Sequence, residues 1–106
     1  MSDIVLVLTT VTDDDRAEGL ARQLIDERLA ACVNLHSPMV SFYRWKGNVE
    51  RGAERQVVMK TTRDRLFALE KRLSEIHPYE VPEFVVLPVE DGSDVYLRWV
   101  RDETRS

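Results

Sequence analysis

The sequence predicts an α+β fold: a four-stranded antiparallel sheet with two helices on one face and a short helix at the C-terminus. Three observations predict it. Ile4-Val5-Leu6-Val7-Leu8 and Glu83-Phe84-Val85-Val86-Leu87-Pro88-Val89 are nearly continuous apolar runs rich in β-branched residues, the pattern of strands buried on both faces. Two other stretches, one behind Thr12 and one behind Thr61-Thr62, carry apolar residues at helical spacing. Between them lies a long extended segment that folds back on itself at Lys46-Gly47-Asn48, a hairpin turn pattern.

The elements follow in order. Ile4 to Leu8 is the first strand. Thr12 is placed to cap the first helix, and Asp15 three residues on completes a capping-box pattern. Ala17, Leu20, Ala21, Leu24, Ile25 and Leu29 form its apolar stripe. Ala31 to Trp45 reads as extended, with a bulge or bend expected at Ser37-Pro38 because proline cannot donate to a sheet ladder. The return strand runs from about Val49 to Thr61. Thr61 or Thr62 then caps the second helix, with Asp64 in its first turn and Leu66, Leu69, Leu73 and Ile76 on its apolar side. Pro78 ends it. Glu83 to Val89 is the last strand, Asp91-Gly92-Ser93 a turn, and Asp94 to about Thr104 a terminal helix with Val95, Trp99 and Val100 on one side. The order β-α-β-β-α-β is that of the ferredoxin-like split βαβ arrangement.

Length and composition bound what such a chain does. Its 106 residues suit one domain, residues 1–106, with a core that needs no staple. Lys plus Arg number 15 against 19 Asp plus Glu, a net charge of −4, which disfavours nucleic acid as a partner. With Cys32 the sole cysteine, an intramolecular disulfide is excluded. The N-terminal residues lack the pattern of a signal peptide, and no apolar run is long enough to span a membrane. The expected compartment is therefore the cytoplasm.

An antiparallel sheet with helices on one face normally turns a polar face to water. Here the first and last strands, Ile4 to Leu8 and Phe84 to Leu87, are apolar on both sides, and the terminal helix is too short to cover the second face. A partner subunit is the simplest cover, and the long hairpin is expected to reach it.

Few residues suggest chemistry. The four glycines are scattered and form no phosphate loop. No local pattern supports nucleophilic catalysis, so the chain is not expected to be an enzyme. A phosphate-hydrolysing activity on this fold is further disfavoured by the acids after the first strand, Asp13-Asp14-Asp15, which would repel an anion. Those acids are read as favourable charges at a helix N-terminus, Cys32 as a small core residue and His36 as a solvated loop residue. Asp102-Glu103 is taken as solvated surface. His77 at the end of the second helix suits either a helix cap or a ligand role. The stretch His77-Pro78-Tyr79-Glu80-Val81-Pro82-Glu83 packs an imidazole, a phenol and two carboxylates into a backbone stiffened by two prolines. It reads equally as a site and as a rigid connector.

Several blocks resemble the CutA (divalent-cation tolerance) family: Leu29-Ala30-Ala31-Cys32-Val33-Asn34, Ser41-Phe42-Tyr43-Arg44-Trp45-Lys46-Gly47, Met59-Lys60-Thr61-Thr62, His77-Pro78-Tyr79-Glu80-Val81-Pro82-Glu83 and Tyr96-Leu97-Arg98-Trp99. They occur in the family's order and span nearly the whole chain. The resemblance implies a ferredoxin-like subunit in a homotrimer like that of PII-type signalling proteins, with clefts between subunits. It also implies a role in tolerance of divalent metal ions. Copper(II) or another divalent cation is then the implied cofactor, weakly bound, with His77 as the matching metal residue. Where some members have a cysteine this chain has Thr9, and where some have a second histidine it has Ile76. Tyr43, Trp45, Glu54, Lys60, Tyr79, Glu80, Glu83 and Trp99 are the candidates for lining the cleft. They serve either a small ligand or trimer packing, the latter with Lys60 paired to Glu54 or Glu83. The alternative to metal tolerance is a PII-like signalling or ligand-sensing trimer.

Overall fold

The computed structural model describes residues 2–105. The first strand, β1 (Ile4–Thr12), is longer than expected, because β-branched Thr9 to Thr12 continue the pairing with the return strand as far as Thr12 opposite Glu54. Thr12 is thus the end of a strand and caps nothing. The helix that follows, α1 (Arg16–Asp26), has Asp15 at its N-cap without a side-chain bond. The first-turn donor is satisfied instead by Asp14, whose Oδ1 accepts from the Arg16 N–H at 3.0 Å and from the Thr12 hydroxyl at 3.2 Å.

α1 stops before Leu29. Arg28 adopts φ 58°, its N–H donates to the Ile25 carbonyl and the Leu29 N–H donates to the Leu24 carbonyl, both at 3.0 Å. This paired closure is a Schellman motif, and it folds Leu29 back into the core beside Leu24.

The extended segment resolves into β2 (Cys32–Leu35) and β3 (Met39–Trp45), separated by His36-Ser37-Pro38. Both pair with the same long strand, β4 (Asn48–Thr62): Cys32 to Leu35 lie opposite Lys60 to Val57, and Met39 to Trp45 opposite Glu54 to Asn48. The proline break therefore bends one edge without ending it. Lys46 and Gly47, at φ 50° and 83°, form the two-residue turn, as a hairpin closed between Trp45 and Asn48 requires.

A 3₁₀ turn (Arg63–Arg65) precedes α2 (Leu66–Ile76). Neither Thr61 nor Thr62 caps the helix: the Thr61 hydroxyl donates to the Leu29 carbonyl at 2.8 Å, and the Thr62 hydroxyl is bonded to Asp64. The last strand, β5 (Val85–Pro88), is shorter than expected, because Phe84 and its neighbours belong to the loop. α3 (Asp94–Glu103) starts at Ser93, whose Oγ accepts from the Tyr96 N–H at 3.3 Å.

The strand order is β2-β4-β1-β5, with β3 continuing the β2 edge along β4, and all pairings are antiparallel. This is the ferredoxin-like order predicted. Val5, Val7, Val11, Val57 and Met59 point to one side and bury against Ala17, Leu20 and Leu24 of α1 and Leu69 and Leu73 of α2. On the opposite side α3 covers only one end, through Leu97 and Val100 against Ile4. The remainder of that face, including Val85 and Leu87, is open. Cys32 belongs to this face; it is partly exposed and points toward Asn34 Oδ1 at 3.7 Å, so it is not a core residue. The alternation of β2 explains this, since Val33 and Leu35 take the core side.

Burial ranks the substitutions. Met59→Ala is expected to cost about 2–5 kcal/mol, as removal of a fully buried side chain does. Phe67→Ala, at a position 81% exposed, is expected to change stability by less than about 0.5 kcal/mol. Denaturant midpoints of the two variants measure this, and equal midpoints would contradict the core assignment.

Candidate functional site

The loop between α2 and β5 folds over the end of β1. Leu73 accepts the His77 N–H at 2.8 Å, closing α2, while the His77 side chain turns away from the helix end and buries to 8% exposure. His77 Nε2 lies 2.8 Å from the Thr10 carbonyl and 3.3 Å from Thr9 Oγ1. A carbonyl only accepts, so Nε2 carries the proton and donates. Nδ1 then has the lone pair, and it accepts from the Tyr79 N–H at 3.1 Å. Both ring nitrogens are thus engaged within the chain, and the imidazole is neutral. Burial lowers its pKa below the ordinary value, against a smaller opposing pull from the Thr10 carbonyl. The histidine pins the loop to the strand; it does not cap the helix through its ring.

The pinned loop sets Tyr79. Its ring lies 4.8 Å from that of His77, and its hydroxyl donates to Glu54 Oε2 at 2.5 Å. Glu54, near the middle of β4, is 8% exposed. Burial, and then the Glu54 carboxylate, push the Tyr79 phenol up, so Tyr79 stays a donor. Next to this pair, Gln56 Nε2 donates to the Thr9 carbonyl at 2.7 Å and to Glu83 Oε2 at 3.0 Å. Loop, β1 and β4 are in this way tied into one polar cluster.

Of the residues singled out from sequence, His77, Tyr79, Glu54 and Glu83 come together here. Tyr43, opposite Glu50 in the hairpin, lays its ring beside Gly52 and borders them, close enough to act on the Tyr79 phenol. Glu80 is exposed on the same loop. Trp45 lies at the hairpin tip, with Lys46 Nζ 5.7 Å from its ring centre. Lys60 and Trp99 lie elsewhere, with Lys60 Nζ 5.8 Å from the Tyr96 ring and that ring 5.5 Å from Trp99. The expected pairing of Lys60 with Glu54 or Glu83 does not form in the chain, because Lys60 is nearer the other end of β4 and the two carboxylates are taken by Tyr79 and Gln56. Thr10 and Gln56 were not anticipated as site residues. They are opposite each other in the β1–β4 register, which only the pairing reveals.

His36 and the acids Asp13, Asp14 and Asp15 are exposed, as expected. Asp14 lies beside Arg16, whose hydrogen bonds pull its carboxyl down to about 2.

A divalent cation requires several convergent lone pairs. Among the described residues, no group of three or more His, Cys, Asp or Glu side chains is placed to hold one. The one histidine in the cluster has already committed both nitrogens. The described residues of a single chain therefore bring together no such group of ligands. Nor is any helix of the described residues long and apolar enough to cross a membrane.

Comparison with known proteins places this architecture. The sequence profile of the family described as "CutA1 divalent ion tolerance protein" matches residues 5–103. The "Divalent-cation tolerance protein CutA" of Thermus thermophilus is 41% identical over 104 residues, covering 98% of this chain and 99% of that one. The human "Protein CutA" is 42% identical over 97 residues, which are 92% of this chain and 54% of the human protein. In structure, the chain is similar to the crystal structure of CutA from Xylella fastidiosa, with a TM-score of 0.94 and 39% identity, covering 98% of this chain and 100% of that one.

Two outcomes follow from the loop geometry. The lowered pKa of His77 means that the stability linked to its neutral form is complete above the unfolded value and is lost as pH falls below about 6.5. Melting temperature is expected to drop over that interval in the wild type and to drop less in His77→Gln; parallel curves would contradict the buried neutral imidazole. Tyr79→Phe leaves a buried carboxylate oxygen without its donor and is expected to cost about 1–3 kcal/mol in chemical denaturation. An unchanged midpoint would count against that bond.

Proposed function

The chain belongs to the CutA1 divalent ion tolerance protein family, and from that premise we propose that it serves divalent-cation tolerance in the cytoplasm as a non-enzymatic homotrimer. The observation that carries this reading is the uncovered apolar surface. Val85 and Leu87 on β5, Tyr96 and Trp99 on α3, and Val40, Phe42, Tyr43, Trp45 and Val49 on the hairpin are all exposed large hydrophobics. Phe42 is 69% exposed. A surface of this kind on a water-exposed protein favours burial against further copies. The hairpin stretches the chain to 44 Å against 25 and 24 Å in the other directions, a reach that suits an arm laid on a neighbour.

Copper(II) or another divalent cation enters this reading as a weakly held ligand with donors from more than one copy. His77 joins them only after the Tyr79 N–H leaves Nδ1, and Glu80 and Glu83 are the carboxylates on its loop. A PII-like, ligand-sensing trimer is the second reading. It draws on the buried Glu54 carboxylate and its Tyr79 partner, an organised polar cluster bordered by Tyr43 that suits a small organic ligand better than a metal.

Copper(II) calorimetry on metal-free protein, wild type beside His77→Ala, separates the readings. Saturable binding that is lost in the variant supports a metal role for His77. Binding that is absent, or equal in both, contradicts it and favours the polar cluster as the place where a ligand acts. For assembly, Phe42→Glu combined with Leu87→Glu is expected to yield a species of one chain mass by light scattering. An unchanged mass would contradict the role given to this surface.

A further inference from the structure

Beyond the polar cluster, at the opposite end of β4 from the hairpin, an open cleft of about 570 Å³ lies between the start of β1, the 3₁₀ turn and the end of α3. Arg63, Arg65, Arg101 and Arg105 line it, against Asp3 and Asp64. With Asp102 paired to Arg105 at the rim, four guanidinium groups meet three carboxylates, a local surplus of one positive charge in a chain whose net charge is −4.

The arginines are held in a particular way. Arg101 gives only its Nε to Asp3, at 2.8 and 3.1 Å to the two oxygens. Arg65 gives only its Nε to the Arg28 carbonyl, at 3.3 Å. The terminal nitrogens of both make no hydrogen bond to the described residues. Arg63 is fixed through its backbone, whose N–H donates to the Asp3 carbonyl at 2.8 Å, while its side chain makes no hydrogen bond or ion pair with the described residues. Arg105 is at the rim, paired with Asp102 at 3.0 Å and 75% exposed. The acids are occupied in turn, Asp3 by Arg101 and Asp64 by the Thr62 hydroxyl. Tethering through Nε, in Arg65 and Arg101, removes part of the freedom that a long side chain loses on binding. It leaves the paired N–H groups of the fork, which match two oxygens of a phosphoryl group.

We propose that this cleft binds a small phosphate-bearing anion, gripped by the free forks of Arg63, Arg65 and Arg101 with Arg105 at the rim. The cleft is open and presents more than one fork, which suits a diphosphate, able to reach two of them, over a lone phosphate. The site is separate from the Glu54–Tyr79 cluster and does not depend on the metal reading above; its α3 wall adjoins Tyr96 and Trp99 of the surface assigned to further copies.

Inorganic pyrophosphate is the probe, titrated into the intact chain at low ionic strength and followed by calorimetry and by the phosphorus resonance. Saturable binding is expected, weakened roughly tenfold by Arg63→Gln and again by Arg65→Gln, since each removes a charged hydrogen-bond donor. Arg101 is left in place, because its replacement would free the Asp3 carboxylate. Arg51→Gln, on the exposed hairpin, makes the same change in net charge and is expected to leave binding unaltered. A linear, unsaturable response, or equal weakening by Arg51→Gln, would overturn the proposal. So would equal affinity for citrate, which would assign the cleft to anions in general and not to phosphate.

Discussion

A sheet apolar on both faces needs two covers, and this chain carries helix enough for one. α1 and α2 bury Val5, Val7, Val11, Val57 and Met59 completely. α3 reaches only the Ile4 end of the other side. What remains open is the other side of the sheet, where Val85 and Leu87 of β5 are exposed and Leu6, Leu8 and Val58, the alternates of the buried residues, are partly so. The uncovered surface is thus a direct result of the apolar runs of β1 and β5, which present apolar residues to both sides. Exposing this much apolar area is unfavourable in water at about 25 cal/mol per Å². The proposed self-assembly rests on that imbalance.

β4 carries the rest of the design. It pairs with β1 over the full length of β1, with β2 at one end and with β3 at the other. Because one strand spans all three, each position along it has a fixed environment. Gly52 and its neighbours lie in the exposed hairpin, Glu54 and Gln56 meet the proline-stiffened loop, Lys60 meets α3, and Thr62 leads into the arginine-lined cleft. His77 sets the loop by using one nitrogen as donor to β1 and the other as acceptor from Tyr79. That geometry makes the residue structural in the single chain. A cation would have to compete with a hydrogen bond already made.

Much of the fold was legible because its signals are local. The apolar runs at Ile4–Leu8 and Phe84–Leu87, the helical spacing of Leu66, Leu69, Leu73 and Ile76, and the turn at Lys46-Gly47 are all patterns of neighbouring residues. The errors came where a local pattern competed with a longer-range one. Thr12 and Asp15 look like a capping box, but strand pairing as far as Glu54 claims Thr12 first. Thr61 looks like a cap, but its hydroxyl answers the Leu29 carbonyl, 32 residues away. Cys32 looks like a core residue until the alternation of β2 is set by Val33 and Leu35. In the site, the loop His77 to Glu83 stood out by composition. Its partners Thr10 and Gln56 did not, since their role depends on the β1–β4 register and on which side of the ladder the loop falls.

The claim on which this account depends is that the open face is covered by further copies of the chain. Sedimentation equilibrium of the unmodified protein across micromolar concentrations tests it most directly. The account predicts a single species of three chain masses that persists on dilution. A folded species of one chain mass at those concentrations would contradict it, because the apolar face would then be stable in water without a cover.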